Sequence, residues 1–258
     1  LGFPLILAAI SFPLQLYFDF SGYIDIARGA SRILGIKLSK NFNRPFFARN
    51  TADFWKRWHI TLSKWFEDYV FTPLYLGISK LKVFTKLNFK TKHFIAFFIS
   101  LFIGEILLGL WHGANYTFVL FGVYFAVFIS IYYSFRKHLD KIPTWIKIIA
   151  TFILVIGSLI FFRANNVSDA FYIFKNLFNF TSMQGVNIGL RPAEILLGFF
   201  FAASVLFIEF LEEFKFKILK SSVINSTIFK WIIYLALTLL ILFLAIFKST
   251  TNFIYQQF

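Results

Sequence analysis

The feature that most limits how this chain can fold is a series of long apolar runs. Several of them approach or reach roughly 18 to 20 residues, the length that spans a bilayer as an α-helix. Only 15% of the residues are charged, against about 25% in an ordinary soluble domain. The runs are continuous rather than alternating, which argues against transmembrane β-strands. We therefore predict an all-α, polytopic integral membrane protein with about six spanning helices.

The expected spans are separated by polar stretches of very different length. They cover residues 1–18, 93–111, 116–135, 145–162, 192–211 and 229–247. The stretch 26–92 carries more than half of the 26 Lys and Arg, with aromatic residues throughout. We interpret it as an amphipathic or re-entrant region on the cytoplasmic side, within one membrane domain covering 1–258. Inside it, aromatic residues at three- and four-residue spacing predict a helix over 51–70.

The net charge of +14 indicates the lipid bilayer rather than nucleic acid as the partner. The basic residues lie between the apolar runs, and no basic module stands apart from them. By the positive-inside rule, the loops rich in Lys and Arg face the cytoplasm. This predicts a multi-pass protein of the cytoplasmic (inner) membrane with its C-terminus outside. The chain has no cysteine, which excludes a thiol nucleophile and cysteine-ligated metals.

One histidine lies at the end of a strongly apolar helix. His112 closes the run 93–111, and polar groups at membrane depth are costly enough to suggest a function. Glu105 is seven residues earlier, so we expect the two side chains to share a face and line one cleft, about 10 Å apart along the axis. Gly109 and Gly113 would let another helix backbone, or a substrate chain, approach closely. His112 is then either a general base or a buried histidine that holds two helices together.

Two further polar positions have an ordinary structural interpretation beside the functional one. Asp19 ends the first apolar run and is either functional or part of an interfacial helix cap. His59 falls on the apolar face of the predicted helix 51–70, where it either packs against neighbours or serves a site. The four histidines show no metal-ligand spacing, and the chain has no nucleotide-binding glycine loop. We predict no bound metal and no resident cofactor.

Four motifs follow one another along the chain. They are Asp19-Phe20-Ser21-Gly22-Tyr23, Asn41-Phe42-Asn43-Arg44-Pro45-Phe46, Phe54-Trp55-Lys56-Arg57-Trp58-His59-Ile60-Thr61-Leu62-Ser63 and Leu110-Trp111-His112-Gly113-Ala114-Asn115. Together they resemble the membrane-bound O-acyltransferase family, with most similarity to its alginate O-acetyltransferase branch. The stretch Phe161-Phe162-Arg163-Ala164 resembles a later part of the same branch. Members of the family extend further at the N-terminus, so we expect this chain to lack an N-terminal portion.

The resemblance implies an enzyme with helices around a central tunnel. In the family, the histidine that matches His112 is the essential catalytic residue, and the one that matches His59 is a second polar residue near the tunnel. The donor would be a thioester co-substrate on the cytoplasmic side, either acetyl-CoA or an acyl carrier. The acceptor would be a hydroxyl of an exported or cell-surface, alginate-like polysaccharide, or a periplasmic or extracellular acetyl-relay protein. Further candidates for the tunnel wall are Glu105, Gly109, Asn115, Trp111, Asp19, Trp55 and Arg57.

Two alternatives stay open beside acetyl transfer. One is transfer of D-alanine to teichoic acid from a carrier protein, and the other is a non-enzymatic membrane scaffold or transporter. In either enzymatic case, Lys56 and Arg57 could meet a phosphorylated carrier. A histidine that serves a cytoplasmic donor and an external acceptor should lie deep in the membrane. We therefore expect a broken or tilted helix at His112.

Overall fold

The computed structural model describes residues 2–84, 86–180, 192–216 and 226–244. These residues form α-helices joined by short 3-10 and irregular segments, without any strand in the described ranges. The chain divides into two compact units, residues 1–188 and 189–257, and each is described by itself. That 1–258 forms one domain stays a prediction.

Five helices are long and apolar enough to cross a membrane, and they confirm the predicted all-α, polytopic class. They are α1 (Gly2–Ile33), α5 (Phe89–His112), α6 (Tyr116–Leu139), α7 (Thr144–Arg163) and α9 (Pro192–Glu213). A shorter helix, α8 (Val167–Asn176), follows α7. The sixth expected span coincides with α10 (Thr227–Leu244), which is apolar but shorter in the described part of the chain. Residues 245–247 of that expectation lie outside the described residues.

The first helix is longer than the 18 residues expected. Helix α1 has 32 residues, so Asp19 lies inside it and the interpretation as a helix cap is wrong. The helix ends at Ile33, and Gly35 just beyond it takes a left-handed φ of 76°. Beyond it, the Ile36 N–H donates to the Ser31 carbonyl at 2.9 Å, the bond that closes a glycine-terminated helix. Gly35 is therefore the stop signal that the apolar pattern did not contain.

The predicted helix over 51–70 is broken in its middle. Helix α2 (Thr51–Trp55) and helix α3 (Ile60–Phe66) are separated by a turn, in which His59 has a φ of 42°. Left-handed backbone is uncommon for a residue with a side chain and ends a helix. After α3 a π-helical turn, Glu67–Phe71, leads directly into α4 (Thr72–Ser79). The aromatic residues keep a helical spacing in the sequence, but they belong to two helices separated by a turn.

Helices α5 and α6 form a closely packed pair joined by three residues. Helix α5 runs without a break to His112, so of the broken or tilted helix expected there, the break is wrong and the tilt stays a prediction. A Cβ atom added at Gly122 of α6 would lie 2.7 Å from the Glu105 carbonyl carbon and 2.9 Å from the Ile106 Cα. One added at Gly109 would lie 3.0 Å from the Phe118 carbonyl carbon. Glycines therefore let the two backbones touch, as in other membrane helix pairs.

Candidate functional site

The imidazole of His112 lies in an enclosure of aromatic rings. Its ring centroid is 4.9 Å from that of Trp111 and 4.9 Å from that of Phe162. Phe121 and Phe118 of α6 follow at 5.9 and 6.2 Å. Helix α5 delivers the histidine from its last turn, while α6 and α7 supply three of the rings. The space around His112 is thus mostly apolar.

His59 approaches the same enclosure from the turn between α2 and α3. Its ring lies 4.8 Å from Phe20 of α1 and 6.4 Å from Trp111. Burial lowers the pKa of His59 to about 4, because a low-dielectric surrounding disfavours the charged imidazolium. His59 is therefore neutral at pH 7.

Trp111 brings the two predicted histidines into one site. Its indole contacts both imidazole rings. The indole is itself 52% exposed, so one side of it faces out of the packed aromatic cluster. Residues 53 positions apart in the sequence thus form one constellation of two imidazoles around an indole.

Asn41 holds the turn that carries His59, and the sequence alone did not single it out as a site residue. Its side-chain oxygen accepts hydrogen bonds from the Thr61 N–H at 3.0 Å and the Thr61 hydroxyl at 2.6 Å. Its carbonyl accepts from the Ile60 N–H at 2.9 Å. These three bonds hold the two residues that follow His59 and so stabilise its left-handed backbone. The contact joins positions twenty residues apart, and only its place in a family motif signalled it.

Phe42 adds an apolar support to the same turn. Its ring packs edge-on against Trp58 and Phe20 at 5.1 Å each. The motif around Asn41 and the motif around His59 therefore pack against each other.

Asn115 connects the site to the start of α6 and to the segment that follows α7. Its side-chain oxygen caps α6 by accepting from the Thr117 N–H at 3.1 Å. Its amide nitrogen donates to the Asn165 carbonyl at 2.9 Å, which lies just after α7. Both ends of the amide are thereby used in fixing the turn after His112.

Glu105 and Trp55 line a separate cavity of about 310 Å³ between α5, α6 and the helical segment 60–71. His112 is not among its lining residues, and that Glu105 and His112 line one cleft stays a prediction. Within the described chain, the Glu105 Oε2 and Trp55 Nε1 atoms are buried and have no hydrogen-bond partner. Buried polar atoms of this kind each cost about 1–3 kcal/mol unless an occupant satisfies them.

The remaining sequence candidates lie at different places. Asp19 is half-buried in α1, next to Phe20. Arg57 lies in the turn before His59 and pairs with Asp53 at 3.1 Å. Gly109 faces the α6 backbone, which is the close approach of another helix that we expected. The approach of a substrate chain stays a prediction. Among the described residues, no group of three or more His, Asp or Glu is placed to hold a metal ion.

The order and placement of these motifs match a known family. Residues 3–168, more than half of the chain, match the model of the membrane-bound O-acyltransferase family. The chain belongs to this family. With its five apolar helices, it is a multi-pass membrane protein of the O-acyltransferase family, and both His59 and His112 fall within the matched range.

The relatives fall into two groups by the acyl group in their names, which is acetyl in one group and D-alanyl in the other. The chain is 33% identical over 206 residues to a probable alginate O-acetylase of Pseudomonas aeruginosa, covering 75% of this chain and 37% of that protein. It is 31% identical over 194 residues to a peptidoglycan O-acetyltransferase of Helicobacter pylori, covering 74% and 34%. It is 40% identical over 126 residues to a teichoic acid D-alanyltransferase of Bacillus subtilis, covering 49% and 30%. The chain thus spans about a third of the length of the relatives it matches.

Proposed function

We propose that this protein transfers an acetyl group from a thioester donor to a hydroxyl of a cell-envelope polysaccharide, with His112 as the general base. The observation that carries the proposal is the pair of imidazoles around Trp111, in a chain that belongs to an O-acyltransferase family. The names of several relatives, alginate O-acetylases and a peptidoglycan O-acetyltransferase, favour acetyl transfer to a polysaccharide.

In the proposed step, the Nε2 or Nδ1 atom of His112 accepts the proton of the acceptor hydroxyl as the oxygen attacks the thioester carbonyl. A tetrahedral intermediate forms, the carbon–sulfur bond breaks, and the new ester is released. The proton on His112 then passes to the departing thiolate, which leaves as a thiol. The histidine returns to its neutral form, so it acts as a catalyst without being consumed.

The neutral state of His59 supports this assignment of the base. A charged His59 would oppose proton uptake by His112, because two positive charges repel strongly in an apolar site. Since burial lowers the pKa of His59 to about 4, that opposition is absent at pH 7. His59 is then suited to orient donor or acceptor by a hydrogen bond.

We infer that the donor enters through the cavity lined by Trp55 and Glu105. The cavity offers about 310 Å³, and its two buried polar atoms without protein partners favour an occupant that carries hydrogen-bonding groups. Exposed Lys56 stands at its edge, where it is suited to a phosphate-bearing donor such as acetyl-CoA or an acyl carrier. Arg57 is less suited to that role because it is engaged with Asp53.

The location that we propose is the cytoplasmic membrane, with the donor on the cytoplasmic side and the C-terminus outside. The support is the distribution of basic residues, which concentrate in 26–92 and 136–147. The acceptor would be an exported polysaccharide, or a relay protein outside the membrane that passes the acetyl group on.

D-Alanyl transfer to teichoic acid is a second candidate. It is favoured by the 40% identity over 126 residues to a teichoic acid D-alanyltransferase. The proposed chemistry at His112 would be the same, because D-alanine is also moved from a thioester to a hydroxyl. Mass analysis of envelope polymers from cells with and without the protein separates the two, by the loss of acetyl or of alanyl esters.

Replacement of His112 tests the enzymatic proposal. We expect His112→Ala to lower polymer acylation by roughly 10²- to 10⁴-fold, the usual contribution of a general base. His138→Ala is the matched control, since His138 is exposed in the last turn of α6 and should keep full acylation at equal protein level. Full acylation in the His112→Ala cells would reject His112 as the base and favour a scaffold or transporter.

A further inference from the structure

A second, polar cleft lies where α2 meets the turn between α6 and α7. Its volume is about 470 Å³. Five basic residues line it, against two carboxylates, Asp53 and Asp140. The basic residues are Arg49, Lys56, Arg57, Arg136 and Lys147. They come from three separate parts of the chain, so the fold, and not a local run of charge, concentrates them.

Both carboxylates of the cleft are already engaged. Asp53 accepts from the Arg57 Nε at 3.1 Å and from the Arg49 N–H at 2.9 Å. Asp140 accepts from the Arg136 Nε at 3.2 Å. These two ion pairs leave an excess of three positive charges, on Arg49, Lys56 and Lys147.

The three remaining cations are available to an anion. Among the residues that the structure describes, the side chains of Arg49 and Lys56 have no ion-pair partner, and both are exposed. The Lys147 Nζ donates one hydrogen bond, to the Asp140 carbonyl at 3.2 Å, which fixes the ammonium group at the cleft and leaves two of its three protons for another acceptor. Within the part of the chain that the structure describes, the cleft is therefore electropositive, because its five basic side chains exceed its two carboxylates by three charges.

The cleft lies at the level where two spanning helices end. Arg136 is in the last turn of α6 and Lys147 is in the first turn of α7, and both helices are long and apolar enough to cross a membrane. The neighbouring Tyr133 and Trp145 are 40% and 64% exposed, which is typical of aromatic side chains at a membrane interface. An anion in this cleft would thus lie at the depth of lipid headgroups.

We propose that this cleft binds the phosphate group of an anionic membrane lipid. The lipid phosphate would accept charge-assisted hydrogen bonds from Arg49 and Lys147, while its acyl chains lie along the apolar surfaces of α6 and α7. Basic pockets between spanning helices bind anionic headgroups in this way. A lipid is favoured over a soluble phosphate because the cleft opens beside exposed interfacial aromatic rings, which a soluble anion does not need.

Retention of lipid by the purified full chain tests the proposal independently of catalysis. The probes are phosphatidylglycerol and, for comparison, phosphatidylcholine in mixed micelles, with lipid retention read by native mass spectrometry. We expect selective retention of phosphatidylglycerol and an increase in melting temperature. The double variant Arg49→Gln, Lys147→Gln should retain phosphatidylglycerol roughly tenfold more weakly, the effect of losing charge-assisted contacts.

Two further double variants make the result specific. Lys137→Gln with Lys141→Gln removes the same charge at the end of α6 and in the turn after it, from residues that do not line the cleft, and should retain phosphatidylglycerol as the unmodified protein does. Arg49→Lys with Lys147→Arg keeps the charge and should also keep retention, which separates binding from misfolding. Equal weakening in both Gln pairs would overturn the proposal in favour of diffuse attraction. Stabilisation by inorganic phosphate or acetyl-CoA, but not by phosphatidylglycerol, would assign the cleft to a soluble ligand instead.

Discussion

The close contact between α5 and α6 predicts that even one added methyl group there lowers the free energy of unfolding strongly. In Gly122→Ala, the new methyl group would lie 2.7 and 2.9 Å from two backbone atoms of α5, whereas ordinary contact begins at 3.4 Å. Backbone inside a helix pair cannot rotate away as a side chain can, so the helices must move apart by at least about 0.7 Å. Overpacking of this kind costs about 1–3 kcal/mol, and we expect the upper end.

Gly104→Ala is the matched control for this substitution. Gly104 is buried in the middle of α5, yet an added Cβ would meet nothing within 4 Å, because the glycine borders the cavity beside Glu105. Replacing it should leave stability unchanged, or raise it by up to about 1 kcal/mol through higher helix propensity. The two alanine variants should therefore differ by roughly 3 kcal/mol in the free energy of unfolding.

Thermal unfolding in detergent measures the difference. For a chain of this size, roughly 3 kcal/mol corresponds to about 6–12 °C in melting temperature. Tryptophan fluorescence is the suitable probe, since the chain has six Trp and no Cys for thiol-reactive dyes. Melting of Gly122→Ala within about 2 °C of Gly104→Ala would refute the close packing of the two helices. Because Phe121, next to Gly122, contacts the His112 ring, the proposed acyl transfer should fall together with stability.

Two further predictions concern the turn around His59 and the orientation of the chain. Asn41→Ala should lower the free energy of unfolding by about 1–3 kcal/mol, because the Thr61 N–H and the Thr61 hydroxyl both lose their acceptor in a part-buried turn. Asn43→Ala is its control, since the Asn43 side-chain oxygen accepts an exposed hydrogen bond from Lys40 at 3.3 Å; equal melting temperatures would contradict the role of Asn41. A Lys82→Cys variant of this cysteine-free chain should react with an impermeant maleimide only after cells are opened, and labelling of intact cells would reverse the proposed orientation.

The spanning helices could be predicted from the sequence because each is a long apolar run, and few other structures satisfy such a run. The end of α1 could not be predicted in the same way. Its second half contains Asp19 and Asp25, which suggested a boundary, but the Asp25–Arg28 pair at 3.1 Å lets the helix continue. The signal that does end it, Gly35 with a positive φ, is a single residue inside a polar stretch.

The break at His59 lies beyond what periodicity can reveal. Aromatic residues before and after it keep a helical spacing, and no proline or glycine marks the turn. The left-handed backbone is held from outside, by the hydrogen bonds that Asn41 accepts from Ile60 and Thr61. A contact of this kind is invisible in the local sequence. The resemblance to a family indicated that the two segments matter, while only the structure explains that they support one another.

The packing around Trp111 also bears on the roles that we propose for the two histidines. Both imidazole rings contact the indole of Trp111. In these apolar surroundings, two imidazolium charges around one indole would repel each other strongly. Burial lowers the pKa of His59 to about 4, so only one positive charge has to be accommodated when a proton is taken up near neutral pH. His112, at the end of an unbroken α5 and surrounded by rings of α6 and α7, is where the proposed reaction places that charge. The turn that Asn41 holds therefore places a neutral imidazole, His59, beside the histidine to which the proposed reaction transfers a proton.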